Sequence, residues 1–533
     1  MKLTYTVCGE RKTTELSNGD IEIIDRSEGE NFRLAVKAKT AVTLERAEAE
    51  FPCDYCDGDL FFMNGYQSWT DTKEFTAAEK EKNIYKAPKF LIKKFGFDMY
   101  GDATFYPYES EKLHGYDLFY LKGEKEKFVF NRNEGAYLIA ELYKKKKVLT
   151  LMSDVCGARL SPNDETTVFD CVITESYESG KERFFAAYPE KKTEKIFGYT
   201  SWYNYYQNID ERVIMRDLGA LDERFNLFQI DDGYQTFVGD WKDINKEKFP
   251  NGLENIVEKI HGKGMKAGVW LAPFVAEKNS KLFRERKDLF KKDGNGEPIF
   301  LGSNWSGFYP LDLENAEARE YIADCLNYFV SLGFDFFKLD FLYAASVVPF
   351  DGKTRCRTAS ETYAFLREVL KDKLILGCGA TLYNAAGVFD YMRVGPDVSL
   401  KFDDVWFMKF FHRERISTKN TLQNTVYRHI FDGRFFGNDP DVFLLRDDNL
   451  HLTAKQKEAL ITLNALFGSV LMTSDNVGGY DDDKRRTLAA ALDIFRNAKD
   501  ADFARKGKNI EITYRLGGAK NKIIYDTERG VLL

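Results

Sequence analysis

From Lys195 to about residue 475 the chain repeats one pattern: a short apolar, β-prone run, then a longer stretch with helical periodicity. Eight such runs stand out: IFGYTSWY (196–203), LFQIDDG (227–233), KAGVWLAP (266–273), DFFKLDF (335–341), LILGCG (374–379), YMRVGPD (391–397), FFGNDPD (435–441) and SVLMTSD (469–475). Between them, Leu253, Ile256, Val257 and Ile260 fall at i, i+3, i+4 and i+7, and Gly262 and Gly264 end that helix. Tyr321, Ile322, Cys325, Leu326 and Phe329 form a second apolar stripe. Strand and helix alternating eight times predict a closed (β/α)8 TIM barrel, with an open doubly wound sheet as the alternative. The link between the fifth and sixth runs is short, so its helix is reduced.

The flanks read differently. Residues 1–188 carry strand patterns such as DIEIID (20–25), FRLAVKAK (32–39), LFYLKG (118–123) and KFVFNRN (127–133), which predict an antiparallel β-sandwich. The barrel is expected over 189–488. A small C-terminal β domain is expected over 489–533, with strands in NIEITYRL (509–516) and KIIYD (522–526).

Net charge narrows the partners. With 77 basic and 84 acidic residues the chain is at −7, which argues against nucleic acid. The run Lys144 to Lys147 reads as a solvated strand end. No stretch of about 18 apolar residues is present, so no membrane span is expected. The start, MKLTYTVCGERKTTEL, has no apolar signal-peptide core, and the eight cysteines are scattered, so a cytoplasmic protein with reduced thiols is expected. Cys53 and Cys56 form a single C-x-x-C without a second pair, and the five histidines are not spaced as ligands. No metal and no cofactor are expected.

In a TIM barrel, chemistry gathers at the C-terminal ends of the strands. Here those ends are acidic: Asp231 and Asp232, Asp340, Asp397, Asp439, Asp441 and Asp475. One aspartate at a strand end is often a cap or turn former, but several on one rim supply the carboxylate pair that glycoside hydrolysis requires. Asp340 is the candidate nucleophile. Lys338 lies two positions before it on the same strand, so the two side chains share a direction and the ammonium keeps the carboxylate ionised. Asp397 is the candidate acid/base, lifted to the rim by Gly395-Pro396, with Arg393 on its strand. Asp231 and Asp232 can accept bonds from neighbouring sugar hydroxyls. Trp270 can wall the sugar site. Cys378 and Gly379 leave little bulk and allow close backbone approach. Trp202, Trp305 and Trp406 are either sugar platforms or core.

Taken in order, NGYQSW (64–69), QIDDGYQ (229–235) with GDW (239–241), GVWLAPF (268–274), FFKLDF (336–341), LGCGA (376–380), RVGPDV (393–398) and NDPD (438–441) resemble glycoside hydrolase family 36, the α-galactosidase family, in its bacterial branch. The resemblance covers most of the chain. It implies an N-terminal β-supersandwich, a catalytic barrel and a small C-terminal β domain. It implies Asp340 as nucleophile, Asp397 as acid/base, and Asp231 and Asp232 on the galactose 4- and 6-hydroxyls. Lys338 and Arg393 are then further sugar contacts, Cys378 and Gly379 lie near the 2-hydroxyl, Trp270 is the barrel-wall tryptophan, and Trp69 is sent into the site by the N-terminal domain. The implied activity is retaining, exo-acting hydrolysis of α-galactoside oligosaccharides, with a homo-oligomer left open. After RVGPDVS the chain continues LKFDD, where the family pattern is richer in proline and tryptophan.

Rival readings remain at this stage. An α-N-acetylgalactosaminidase or a transglycosylase keeps the chemistry and changes the acceptor or sugar. A lyase or aldolase would use Lys338 as a Schiff base. A Mg²⁺ enzyme would use the acidic rim. A sugar-binding protein would use the site without chemistry.

Overall fold

The computed structural model describes residues 1–403 and 408–533; Trp406 lies outside them. Residues 2–174 build two seven-stranded antiparallel sheets. The expected strands are present as Ile21–Asp25, Asn31–Ala38, Leu118–Lys122 and Lys127–Asn131. The last two pair antiparallel with Phe130 opposite Leu118. Both are apolar on both faces for a clear reason. Phe119, Leu121 and Val129 point into the core shared with the other sheet, whereas Leu118, Tyr120, Phe128 and Phe130 belong to the cluster that continues into the parallel strands. This sheet is therefore a middle layer, and the N-terminal part is welded to the rest by apolar packing. Lys144 is not solvated as expected. It is buried and donates to the Glu79 carbonyl.

The centre is one parallel sheet. Its strands are Ile196–Thr200, Leu227–Ile230, Lys266–Leu271, Phe336–Leu339, Leu374–Gly377, Tyr391–Arg393, Gly437–Asp439, Val442–Phe443 and Val470–Thr473. The first six are adjacent in chain order. Gly437–Asp439 follows beside Tyr391–Arg393, while Val470–Thr473 and then Val442–Phe443 add beyond Ile196–Thr200. The two outermost strands are thus consecutive in the chain, separated by Pro440 and Asp441 alone, so the sheet curls back on itself. Strands covered on both faces read as unbroken apolar runs, which is why they were visible in the sequence.

Helices cover the outside. Glu254–Gly262 buries Ile256, Val257 and Ile260 and stops before Gly264, whose φ is +75°. Ala316–Ser331 buries Ile322, Cys325, Leu326 and Phe329, with Asn315 accepting from the Glu317 N–H as its cap. The fifth-to-sixth link holds only the four-residue helix Leu382–Ala385. Between the third and fourth strands a small antiparallel pair, Val275–Glu277 with Phe308–Pro310, frames the loop carrying Trp305. The final helix, Asp482–Asn497, buries Leu488, Ala491, Leu492 and Phe495 and runs across position 488–489. A four-stranded antiparallel sheet, Lys499–Lys506, Asn509–Leu516, Ala519–Asp526 and Val531–Leu532, ends the chain. Among the described residues no helix is long and apolar enough to cross a membrane.

Candidate active site

A cavity of about 760 Å³ opens at the C-terminal ends of the parallel strands. Of the residues singled out in the sequence, Trp69, Asp231, Asp232, Trp270, Lys338, Asp340 and Asp397 line it, as do Trp202 and Trp305. Cys378, Gly379 and Arg393 lie behind its wall. Asp439 and Asp475 also stand back from it. Asp475 is wholly buried, paired with Arg446 at 2.8 Å and accepting from the Leu445 and Arg446 N–H groups and the Tyr480 hydroxyl. Its role is to hold the loop after Val442–Phe443, so the acidic rim is smaller than the sequence suggested.

Asp340 is held by neutral donors. Trp270 Nε1 donates to its Oδ2 at 3.0 Å and the Phe341 N–H to its Oδ1 at 2.8 Å. Phe341 adopts φ +54°, a left-handed conformation rare for an aromatic residue, so the chain turns sharply just after the carboxylate. The Cys378 thiol lies close enough to add a further bond to this carboxylate. Burial raises the Asp340 carboxyl, and the charge of Lys338 only partly offsets this.

Lys338 does not pair with Asp340 as expected. Its Nζ lies 2.9 Å from Asp231 Oδ2. The two side chains still share a direction, since both line the cavity and the Asp340 N–H continues the ladder to the Leu271 carbonyl, but the bonded partner of the ammonium is Asp231. Burial works against the ammonium, but Asp231 outweighs it and raises Lys338. A lysine ion-paired this way is a poor imine-forming amine, which weighs against the Schiff-base reading.

Asp231 and Asp232 differ in how much bonding capacity they keep. Asp231 Oδ2 accepts from Lys338, Gln229 Nε2 at 2.8 Å and Thr200 Oγ1 at 3.2 Å, and its Oδ1 accepts from the Asp232 N–H at 2.9 Å. A carboxylate offers about four acceptor sites, so Asp231 is nearly saturated. Asp232 Oδ2 accepts from Gln207 Nε2 and Trp305 Nε1, both at 2.9 Å, and its Oδ1 from Gln235 Nε2 at 2.5 Å. One acceptor site remains.

Asp397 is held by a cation instead. Arg393 Nη1 lies 2.9 Å from its Oδ1, while Nε is 3.1 Å from Asp439 Oδ2 and Nη2 is 2.8 Å from Asp441 Oδ1. One buried guanidinium thus serves three carboxylates. Asp441, at φ +75°, also accepts from the Tyr203 hydroxyl and, at 2.7 Å, from the N–H of Val398 beside Asp397. Burial pushes the Asp441 carboxyl upward.

Trp69 arrives on the loop after the strand Leu60–Met63. Its Nε1 donates to Cys378 Sγ at 3.4 Å, and its ring packs edge-on to Phe341. Gly379 has φ +59°, and a Cβ there would stand 2.8 Å from the Trp69 ring, so both conformation and space demand glycine. Burial raises the Cys378 thiol well above its usual range, so it sits between Trp69 and Asp340 as a neutral group. Arg428 locks the loop down. Wholly buried, it donates to Asn64 Oδ1 and to the carbonyls of Gly65, Gln67, Ser68 and Val394.

Gln207, Tyr203, Asp441's role and Arg428 were not singled out from the sequence. Gln207 is one glutamine in a polar loop, and the partners of Arg428 are mostly main-chain carbonyls some 360 residues away. Only the NDPD motif carried a signal for Asp441.

Comparison with known proteins adds the following. Residues 199–371 match the family model Melibiase. The chain is 30% identical over 170 residues to the α-xylosidase XylQ of Lactiplantibacillus pentosus, covering 29% of this chain and 21% of that protein. It is 32% identical over 143 residues to the A type blood α-D-galactosamine galactosaminidase of Flavonifractor plautii, covering 24% and 13%. It is 31% identical over 122 residues to α-galactosidase 1 of Pediococcus pentosaceus, covering 21% and 16%. The matches therefore span about a fifth or less of those relatives. In three dimensions the chain is similar to TtGalA, an α-galactosidase from Thermus thermophilus solved with p-nitrophenyl α-D-galactopyranoside, with a TM-score of 0.71, 23% identity and 98% of both chains covered. It is also similar to the family 36 α-galactosidase AgaA of Geobacillus stearothermophilus, with a TM-score of 0.62, 11% identity and 98% and 80% covered. The family resemblance read from the motifs is borne out.

Proposed function

We propose that this chain is a retaining, exo-acting α-galactosidase built as residues 1–188, 189–488 and 489–533, with the curled sheet as a complete (β/α)8 barrel and the N-terminal sheets as a β-sandwich. The observation that carries the reading is one cavity holding two carboxylates in unlike settings: Asp340 among N–H donors, Asp397 on a guanidinium. Two roles set by two environments are what double displacement needs.

In the proposed reaction a terminal α-galactosyl residue lies with Asp232, and the free side of Asp231, on its hydroxyls. An Asp340 oxygen bonds to the anomeric carbon while Asp397 gives its proton to the departing glycosidic oxygen. A water then loses a proton to Asp397 and attacks the same carbon, and the bond to Asp340 breaks. The Trp270 and Phe341 N–H groups favour the ionised form of Asp340 that this requires. The reading expects the two carboxyl groups about 5–5.5 Å apart rather than the 6.5–9.5 Å or so of inverting enzymes.

Melibiase-type similarity supports the glycosidase class, and the ligands of TtGalA, p-nitrophenyl α-D-galactopyranoside and stachyose, support galactosides and galacto-oligosaccharides as the substrate class. The Flavonifractor relative, named for galactosamine, raises a 2-amino-substituted galactoside as the second reading. Trp69 packed on Gly379 and bonded to Cys378 leaves little room where the resemblance puts the 2-substituent, which favours galactose. The deciding experiment is release from aryl α-galactoside, α-glucoside and α-N-acetylgalactosaminide, with EDTA present. Selective release from the galactoside is expected, with α-galactose as first product by NMR. No release from any of the three, or β-galactose first, overturns the proposal.

A further inference from the structure

A second cavity, of about 360 Å³, adjoins the first beyond Asp232. The two share two lining residues, Gln207 and Trp305. Both donate to the same atom, Asp232 Oδ2. The partition between the cavities is therefore a hydrogen-bonded set of three side chains rather than a backbone wall.

The chain bends to build it. Trp305 has φ +53°, and Tyr206, just before Gln207, has φ +49° with ψ −134°. Both lie in regions that aromatic residues avoid, and such conformations persist only where surroundings enforce them. Gly233, at φ +121°, makes room, since a Cβ there would meet the Gln207 carbonyl oxygen at 2.7 Å. Lys248 Nζ then clamps the same carbonyl at 2.6 Å.

The second cavity has the chemistry of a neutral, hydroxyl-rich ligand. Its charges are already spent, Lys248 on the Gln207 and Gly233 carbonyls and Glu277 on the Val238 N–H and on Ser306. What remains open to a ligand is the side-chain amide of Asn279, the Nδ2 of Asn245 and the ring of Phe237, 37% exposed. Amide ends beside an aromatic face suit a sugar ring, and the volume falls at the low end of small-ligand sites.

Resting on the glycosidase reading above, we propose that Gln207 and Trp305 are specificity-determining residues: they stop the reactive cavity at one sugar, and behind them lies a subsite able to take a second hexose attached to the reacting galactose on its Asp232-facing edge. The wild-type partition excludes such branched or internal residues, and opening it admits them.

The test is a ratio. kcat/KM is measured for a plain aryl α-galactoside and for aryl α-galactosides carrying a second hexose at each ring position in turn. In the Gln207→Ala, Trp305→Ala double variant the extended-to-plain ratio is expected to rise at least about tenfold for one position. Trp305→Phe keeps the ring but loses its bond to Asp232, so it should weaken both substrates and leave the ratio unchanged. Should the double variant not fold, Gln207→Ala, at an exposed side chain, should still raise the ratio about threefold. An unchanged ratio in a folded Gln207→Ala protein overturns the inference. If the wild type releases nothing from the plain galactoside, the glycosidase reading fails instead. The partition is then judged by soaking crystals of the same variant with a digalactoside: a second ring beyond Asp232 supports it, and none refutes it.

Discussion

Asp441→Asn is the most informative single change, because it alters charge at a residue that does not line the cavity. Arg393 divides one positive charge among Asp397, Asp439 and Asp441, at 2.9, 3.1 and 2.8 Å. Two carboxylates on one guanidinium stand about 6 Å apart, and at an effective dielectric of about 20 their repulsion is about 3 kcal/mol, or about 2 pH units. Burial raises Asp441, so it carries only part of its charge near neutrality, and about one unit is the expected effect. The asparagine keeps an oxygen for the Tyr203 hydroxyl and the Val398 N–H, while its NH2 comes to face Arg393 Nη2 and no longer holds the guanidinium.

The sign follows from the proposed roles. With Asp441 neutralised, Arg393 is freer to stabilise ionised Asp397, which then gives up its proton at lower pH. The basic limb of the kcat/KM profile should move down by about one unit, with KM little changed. An aryl substrate with a dinitrophenyl leaving group departs without protonation, so its basic limb should barely move. The reasoning fails if the limb stays put or moves up in the folded variant. It fails equally if both substrates lose activity by one factor at every pH, which would mark Asp441 as merely structural.

Asp340→Gly should lose nearly all hydrolysis, and added azide, entering from the vacated face, should yield β-galactosyl azide; α-azide would contradict the nucleophile assignment. Gly379→Ala should cost about 1–2 kcal/mol through its φ alone and also displace Trp69, so kcat/KM should drop about tenfold or more, and an unaffected enzyme would contradict the close packing. Arg428→Met should leave several buried carbonyls without a donor and cost about 3–5 kcal/mol in urea unfolding, with Arg428→Lys restoring only part because it has three donors. His114 lies between Glu81 and Asp102, and although burial opposes its charge, these carboxylates raise it from 6.5 to about 9. Its stabilisation, about 3 kcal/mol at most, is then full below about pH 6.5 and lost as pH rises through 9, so His114→Gln should flatten the fall in Tm between pH 6.5 and 10.

The parallel strands were legible because sheets covered on both faces leave unbroken apolar runs, and the strand-end acids because few other positions combine a turn with a carboxylate. Two-residue periodicity put Lys338 and Asp340 on one face, and both line the cavity, but the bonded partner of Lys338 is Asp231 on a neighbouring part of the sheet, which the pattern of one strand does not show. The C-terminal strands expected at 509–516 and 522–526 are present within Asn509–Leu516 and Ala519–Asp526, and they follow a helix for which Leu488, Ala491, Leu492 and Phe495 are spaced and which lasts to Asn497. Lys144 looked solvated because a run of like charges usually is; its burial comes from Glu79, 65 positions away in the chain.

The residues that stayed hidden share one property. Arg428, Gln207 and Ser68 act through hydrogen bonds to main-chain atoms or to a carboxylate elsewhere in the chain, and their own neighbours in the sequence do not reveal it. Their effect is nonetheless concentrated on the site. Ser68 Oγ accepts the Gly379 N–H at 3.0 Å, and the Ser68 N–H donates to the Ala380 carbonyl at 2.9 Å, so the N-terminal loop is stitched to the turn behind Asp340 from both sides. Trp69 reaches the cavity only because that stitching and Arg428 hold its loop. The N-terminal part therefore completes the cavity, and a chain trimmed to the parallel sheet would keep Asp340 and Asp397 while losing one wall of the cavity they line.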